Sequence, residues 1–303
     1  MKTTLQIFIL LIGINYLGYS QSQLELINKA YKKKSEVLLT EFFENWANEI
    51  KPISKSEFDE LGDTIKEAYK VFECFYRPTE LSQIGGSEWG ESLYNESKYL
   101  VVQNNLYRIK FVDRLYCSEK EIDSITVAFY KKLFKNDTVR LNKELKRDEN
   151  GKLPSYVYEN WDIDINNSKK SITVDSIVFF RPPIDNPDKK VVYLTPEYEK
   201  TLNDFLKNKY IAFGKRNIMN PARSKGSSLR RKEFLDRFVT TFHGHWGGYW
   251  ELLTFPHVYC ITFDKDMKFA KVDFEMVYEG GEALLEKKGD KWKILKAELT
   301  WIE

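Results

Sequence analysis

The C-terminal end of the chain constrains the fold most. His257 to Phe263, Phe269 to Tyr278, Glu282 to Lys288 and Lys291 to Trp301 read as four successive strands. The turns between them are Asp264-Lys265-Asp266, Glu279-Gly280-Gly281 and Lys288-Gly289-Asp290. Val272, Phe274, Met276 and Tyr278 alternate with Lys271, Asp273 and Glu275, the pattern of a sheet packed on one face and wet on the other. In the last strand the apolar phase switches from Trp292/Ile294 to Leu295/Ala297/Leu299/Trp301. A strand of period two does that only through a bulge or a change of face, and a bulge bends the sheet.

Upstream, apolar spacings of three and four predict a helix from Gln23 to Ile50, ended by Pro52. A second helix is predicted from Glu57 to Tyr76, with Ser56 as its cap and Arg77-Pro78 as its stop. Tyr99 to Val102 and Leu106 to Val112 read as two strands around a hairpin-like turn, Gln103-Asn104-Asn105. Ile125 to Phe134 fits strand or helix. Ile172 to Phe180 returns to a strand pattern after the polar stretch Lys143 to Lys170. Thr195-Pro196 is a capping Thr with Pro at the first helical position, opening a helix to about Lys209. Leu229 to Phe242 gives another helix. The expectation is an α+β fold: a helical and β N-terminal region over 21–170, then a C-terminal domain over 171–303 in which a helix packs on a bent antiparallel four-stranded meander.

Residues 1–20 read as a signal peptide. Lys2 precedes the apolar run Leu5 to Leu17, and Gly18-Tyr19-Ser20 supplies small residues before a cleavage point at Gln21. The apolar run is short for a membrane span, and no second stretch is long enough. The mature protein is therefore expected to be exported, periplasmic or secreted, with no membrane attachment after cleavage. An oxidising compartment permits a disulfide among Cys74, Cys117 and Cys260, although three is odd and apolar surroundings favour buried free thiols. With 20 Phe, 18 Tyr and 7 Trp the chain can fill a real core, which excludes disordered and collagen-like classes.

The helix and bent meander resemble the nuclear transport factor 2-like (ketosteroid-isomerase-like) cone fold. Tyr278-Glu279-Gly280-Gly281-Glu282-Ala283 and Glu298-Leu299-Thr300-Trp301 carry that resemblance, over residues 229–303. Three tracts are similar to a family of exported bacterial proteins without an assigned activity: Ile218 to Gly226, His245 to Trp250, and Leu299 to Glu303. The second likeness supports export and transfers no catalytic residue. Cone folds host enzymes and binding modules alike.

Chemistry is carried by four groups of residues. His243 and His245 form His-x-His, and His257 follows twelve residues on; with Asp273 or Glu251 they are candidate zinc ligands, although the surrounding glycines make the facing of a turn unpredictable. Trp246 and Trp250 flank two glycines in Trp246-Gly247-Gly248-Tyr249-Trp250; flat aromatics there suit stacking on a sugar, or core packing. His245, Asp273 and Glu275 are the acid/base candidates, with Lys271 of the same parity pointing instead to a solvated charged face.

Charge supplies the fourth group. Lys+Arg number 47 against 45 Asp+Glu, a net of +2. Lys207 to Lys232 holds nine basic residues and no acid. Without that window and the signal peptide's Lys2, 37 basic residues face 45 acidic ones, a net of −8. Arg216, Arg223, Lys225 and Arg230 lie in this basic island, on a loop leading into a helix, which suits an anion or pairing with the protein's own acidic body. Its glycines lack phosphate-loop spacing. No cofactor and no nucleic acid are expected. The reading is an exported ligand-binding or interaction module for an anionic small molecule or glycan. The alternative is a lyase, isomerase or hydrolase working in a cone pocket.

Overall fold

The structure is a computed structural model describing residues 22–85, 93–112, 114–115, 119–153, 172–174, 176–207, 226–243 and 250–302. The chain is α+β. Its largest sheet has six strands: β3 (Ile109–Val112), β4 (Ile172–Val174), β9 (His257–Asp264), β10 (Phe269–Met276), β11 (Glu279–Lys288) and β12 (Lys291–Ile302). They lie in the order β12-β11-β10-β9-β3-β4. β9 to β12 form the antiparallel meander, and β3 joins it parallel to β9.

Two cores flank a short parallel ribbon, β1 (Tyr99–Gln103) with β6 (Lys190–Leu194). The first core fills the space between the sheet and α4 (Asp63–Phe75) with Phe72, Phe75, Ile261, Phe263, Val272 and Phe274. The second gathers α1 (22–33), α2 (Glu36–Glu49), α7 (Pro196–Leu206) and α8 (Gly226–Leu235) around Phe42, Phe43, Trp46 and Phe205. All five residues of β1 are buried. Leu100 and Val102 enter the first core, while Tyr99 and Val101 enter the second. Strand pairing and the first core both run across residue 171, joining β1 to β6, β3 to β9 and α4 to the meander.

Several local outcomes differ from the sequence expectation. The helix from Gln23 breaks at Lys34, whose φ is 49°. Ser35 then caps α2 by accepting from the Leu38 amide. The second helix divides as well. Ser54 forms a capping box with Glu57 over α3 (Lys55–Asp59), and α4 starts afresh after Gly62. Residues 99–112 do not form a hairpin, because β1 and β3 pair with other strands and β2 (Asn105–Leu106) pairs with β5 (Ile177–Val178). Ile125 to Phe134 lies largely in α5 (Glu119–Leu133), and α6 (Thr138–Glu144) follows it. The helix seated on the meander is α4, whereas α8 lies in the helical core and ends at Leu235. The turn between β10 and β11 is Val277-Tyr278, with Val277 at φ 57°. Gly280 and Gly281 belong to β11 itself.

The phase switch in the last strand is a bulge. Leu285 pairs with Ile294 and Leu284 with Lys296, so Leu295 is left over and stands 42% exposed. Trp292 and Ile294 face the core before it, Ala297 and Leu299 after it. α4 reaches this edge through one buried carboxylate: Glu67 accepts from Trp292 Nε1 at 2.8 Å and meets Lys287 Nζ at 2.9 Å. Burial works against the Glu67 carboxylate, yet Lys287, Lys70 and the indole together hold its pKa below the usual value.

Of the cysteines, Cys74 is half-buried and Cys260 buried, and both are free thiols. Burial pushes each thiol pKa up. Cys117 and residues 1–20 lie outside the described residues. Among the described residues no helix is long and apolar enough to cross a membrane.

Candidate functional site

At the carboxyl ends of β1 and β6 a small open cleft of about 100 Å3 forms. Ligands of open α/β sheets commonly bind beyond the carboxyl ends of parallel strands, where the chain leaves in two directions. β1 leads into the cleft through Gln103, Asn104 and Asn105. β6 leads in through Leu194, and α7 follows at once with Pro196 and Glu199 on the wall. Thr195 caps α7 by accepting from the Tyr198 amide, with Pro196 at the first helical position as expected. The other wall holds Trp250, Glu251, Leu252 and Leu253, and His257 and Glu275 come from the sheet.

A bulge brings the last two together. From Ala270↔Phe263 to Asp273↔Cys260 the partners of β10 and β9 run in step. The register then shifts, so Phe274 pairs with Val258 and Glu275 with His257, leaving Tyr259 over. In unbroken register Glu275 would stand opposite Val258. The extra residue lets Val258 stay in the core, beside Ile261 and Phe263, while His257 turns to the opposite face. His257 Nδ1 then lies 3.9 Å from Glu275 Oε2. Tyr107 meets the imidazole edge-on, ring centres 5.8 Å apart. At that distance the pair is an ion-pair contact rather than a direct hydrogen bond, which needs about 3.2 Å or less.

The amide of Gln103 holds this floor. Its Nε2 donates to Val258 O and Asn105 O, and its Oε1 accepts from the Val258 amide, each at 2.7 Å. Thr254 Oγ1 accepts from the Val101 amide, and Tyr76 and Tyr94 hydroxyls clamp the backbone at Thr254 and Phe255. That stretch includes a cis Phe255-Pro256 bond. The cleft floor is thus tied by side-chain-to-backbone hydrogen bonds. Among the described residues Glu199, Glu251 and Glu275 line it.

The sequence-predicted residues are dispersed. Glu275 and His257 meet in the cleft, and Trp250 contributes to its wall while remaining buried at 3% exposure in the helical core. Asp273 shares the face of Glu275 but is held by Lys271, 2.8 Å away, which also reaches Glu282 at 2.7 Å. Burial works against the Lys271 charge, but the two carboxylates overcome it and raise its pKa. Arg230 is exposed on α8. Its neighbour Arg231 is buried, donating to Asn28 Oδ1 and Phe205 O and lying over the Tyr31 and Phe205 rings. Lys232 pairs with Asp236. Part of the basic island is therefore structural.

Arg216, Arg223, Lys225, His245 and Trp246 lie outside the described residues. His243 is described for its backbone, in β7 (Phe242–His243), paired with Trp250 of β8 (Trp250–Glu251). Among the described residues no group of three or more His, Cys, Asp or Glu is placed to hold a metal ion. Glu199, Tyr107 and the amides of β1 and β2 were not picked out from sequence. The signal for Glu199 was present, since a strand followed by Thr-Pro places the first turn of a helix at a strand's carboxyl end. Set against protein-family models, curated proteins and solved structures, the chain matches none of them.

Proposed function

We propose that the chain is an exported small-molecule-binding protein whose site is the cleft at the ends of β1 and β6. Its ligand carries a positive charge. One observation carries this reading: among the described residues, three carboxylates, Glu199, Glu251 and Glu275, line one cleft together with His257, Tyr107 and Trp250. Carboxylates in a partly dry wall attract a cation, and aromatic rings nearby add to that attraction. The bulged antiparallel meander is the feature that supports kinship with the nuclear transport factor 2-like fold.

The test is calorimetric titration with tetramethylammonium, glucose and sulfate. Tetramethylammonium is expected to bind, with affinity falling about tenfold or more in Glu275→Gln, since a charge-assisted contact contributes about 1.5–3 kcal/mol. Binding of sulfate and not of the cation at this cleft, traced by the same variant, would sink the reading. Export is tested by mass: the protein recovered outside the cytoplasm should begin at Gln21. A chain still starting at Met1 would overturn it. The anion-accepting role of Arg216, Arg223, Lys225 and Arg230 is a separate proposal, and sulfate stabilisation lost on changing those four to Ala is its test.

The His257–Glu275 contact of 3.9 Å favours a second reading, the enzymatic one. A histidine oriented by a carboxylate is a usual proton carrier. A bound ligand recovered chemically unchanged after long incubation with stoichiometric protein would remove that reading and leave the binding one intact.

A further inference from the structure

Strand β9 loses a neighbour partway along one edge. Among the described residues β3 pairs with it from Ile261 to Asp264, and the bulge at Tyr259 lies just beyond. The N–H and C=O groups of successive strand residues point alternately to the two sides, and a neighbouring strand takes those on its side. Ile261 points toward β3, where its amide donates to Arg108 O at 3.0 Å. Counted back from Ile261 without interruption, Val258 would point its polar groups at β10. The extra residue reverses that, and turns them to the edge that β3 does not reach. Val258 is fully buried, and buried backbone groups without partners are costly.

Gln103 meets both groups. Its Oε1 accepts from the Val258 amide and its Nε2 donates to Val258 O, each at 2.7 Å, as a paired residue of a strand would do. The second Nε2 hydrogen goes to Asn105 O, also at 2.7 Å. An amide requires an acceptor and two carbonyls require a donor, so the side chain has one orientation. Gln103 is 3% exposed and is the last residue of β1, where its backbone pairs with Leu194 of β6. It is therefore anchored to the ribbon between the two cores and does not travel with β9. The bulge and the two bonds to Val258 require each other: in unbroken register Val258 would turn away from the amide.

We propose that Gln103 is the positioning residue of the cleft. Its amide stands in for a strand at Val258, places the extra residue at Tyr259, and so holds His257 opposite Glu275. Its bearing on function rests on the cleft being the binding site.

The experiment is nuclear magnetic resonance of the whole labelled chain, wild type against Gln103→Met, which keeps the side chain's length and removes its three bonds. In the wild type, cross-strand proton contacts should join Glu275 to His257 and Phe274 to Val258. In Gln103→Met a second set should appear with Glu275 opposite Val258, and protection of the Val258 amide from exchange should fall about tenfold or more. Contacts on the other side of the bulge, Asp273 to Cys260 and Ala270 to Phe263, should stay as they are. A role in stability alone would lower the melting temperature and weaken protection along the whole meander without changing which residues meet. Gln103→Glu keeps the acceptor for the Val258 amide and loses both donations, so it should retain protection there and still show the second set. Unchanged pairing in Gln103→Met, or in Gln103→Glu should the first variant fail to fold, overturns the proposal. Evenly weakened protection with the pairing intact overturns it too. The measurement needs no ligand, so either result leaves the cleft reading standing, while a failure of tetramethylammonium to bind would sink that reading and leave the pairing untouched.

Discussion

Gly281→Ala tests how the meander positions the cleft. Gly281 lies in β11 between Phe274 of β10 and Leu299 of β12. A methyl group there would lie 2.5 Å from Glu298 O and 2.5 Å from Phe274 Cζ. The carbonyl is backbone of a paired strand. The ring is fully buried and its centroid is 5.0 Å from that of Phe75 on α4. Neither neighbour can yield without moving a strand or a helix. Overpacking a well-filled core costs about 1–3 kcal/mol, and a clash with backbone and ring together belongs near about 2–3 kcal/mol. Urea unfolding followed by tryptophan fluorescence reads the change as a lower midpoint at constant slope. Shortening the ring should relieve half of the clash: Phe274→Leu in the Gly281→Ala background should lose at least about 1 kcal/mol less than the two single changes summed. Glu275 follows Phe274 directly, so weaker tetramethylammonium binding should accompany the destabilisation. A Gly281→Ala protein within about 0.5 kcal/mol of wild type, a change typical of an uninvolved surface site, would refute the close approach and with it the reason for a glycine at this position.

Two more outcomes follow from buried charge. Burial raises the Glu73 pKa to about 7. Its folded value thus exceeds its unfolded one, so the folded state holds the extra proton, and stability falls as pH rises from about 4.5 to about 7. Discounted for partial solvation, the fall is on the order of 2 kcal/mol. Glu73→Gln should flatten melting temperature against pH in that window, and an unchanged pH profile would show that the carboxyl is solvated. Arg231→Ala removes the donors to Phe205 O and Asn28 Oδ1, at a cost of about 2–3 kcal/mol. Arg230→Ala, at an exposed position, should change unfolding by under about 0.5 kcal/mol; equal effects would contradict the division of the basic island.

The meander was legible because burial on one face leaves a period-two record. Val272, Phe274 and Met276 are buried and Lys271, Asp273 and Glu275 are only partly so. The Leu295 bulge was legible for the same reason, since it reverses that record within one strand. β1 left no such record. Tyr99-Leu100-Val101-Val102 is apolar throughout because it faces a core on each side, and an unbroken apolar run carries no phase with which to choose a partner. A nearby polar triplet then suggested a hairpin. The true partners are β6, some ninety residues on, and, for β3, β9, some 150 residues on, and local pattern holds no information on pairings that distant. The break at Lys34 is a milder case, where Ser35-Glu36 offered a cap inside a stretch whose apolar spacing still fitted one helix.

The site was half legible for a reason that lies in a single residue. Glu275 is a candidate because it shares a strand face with Asp273, while Lys271 of the same parity points to a solvated face; the shared parity holds along β10. His257 entered as a metal candidate, on its spacing from His243 and His245. Counting alternately along β9 from Ile261 and Phe263 puts His257 in the core and Val258 outside. The bulge at Tyr259 reverses both. Nothing in Val258-Tyr259-Cys260 announces it, because β9 is buried along almost its whole length and has no alternation to interrupt. A bulge in only one strand of a pair changes the company of every residue beyond it while the partner strand keeps its phase. Here the change gives Glu275 an imidazole in place of a valine at the cleft wall.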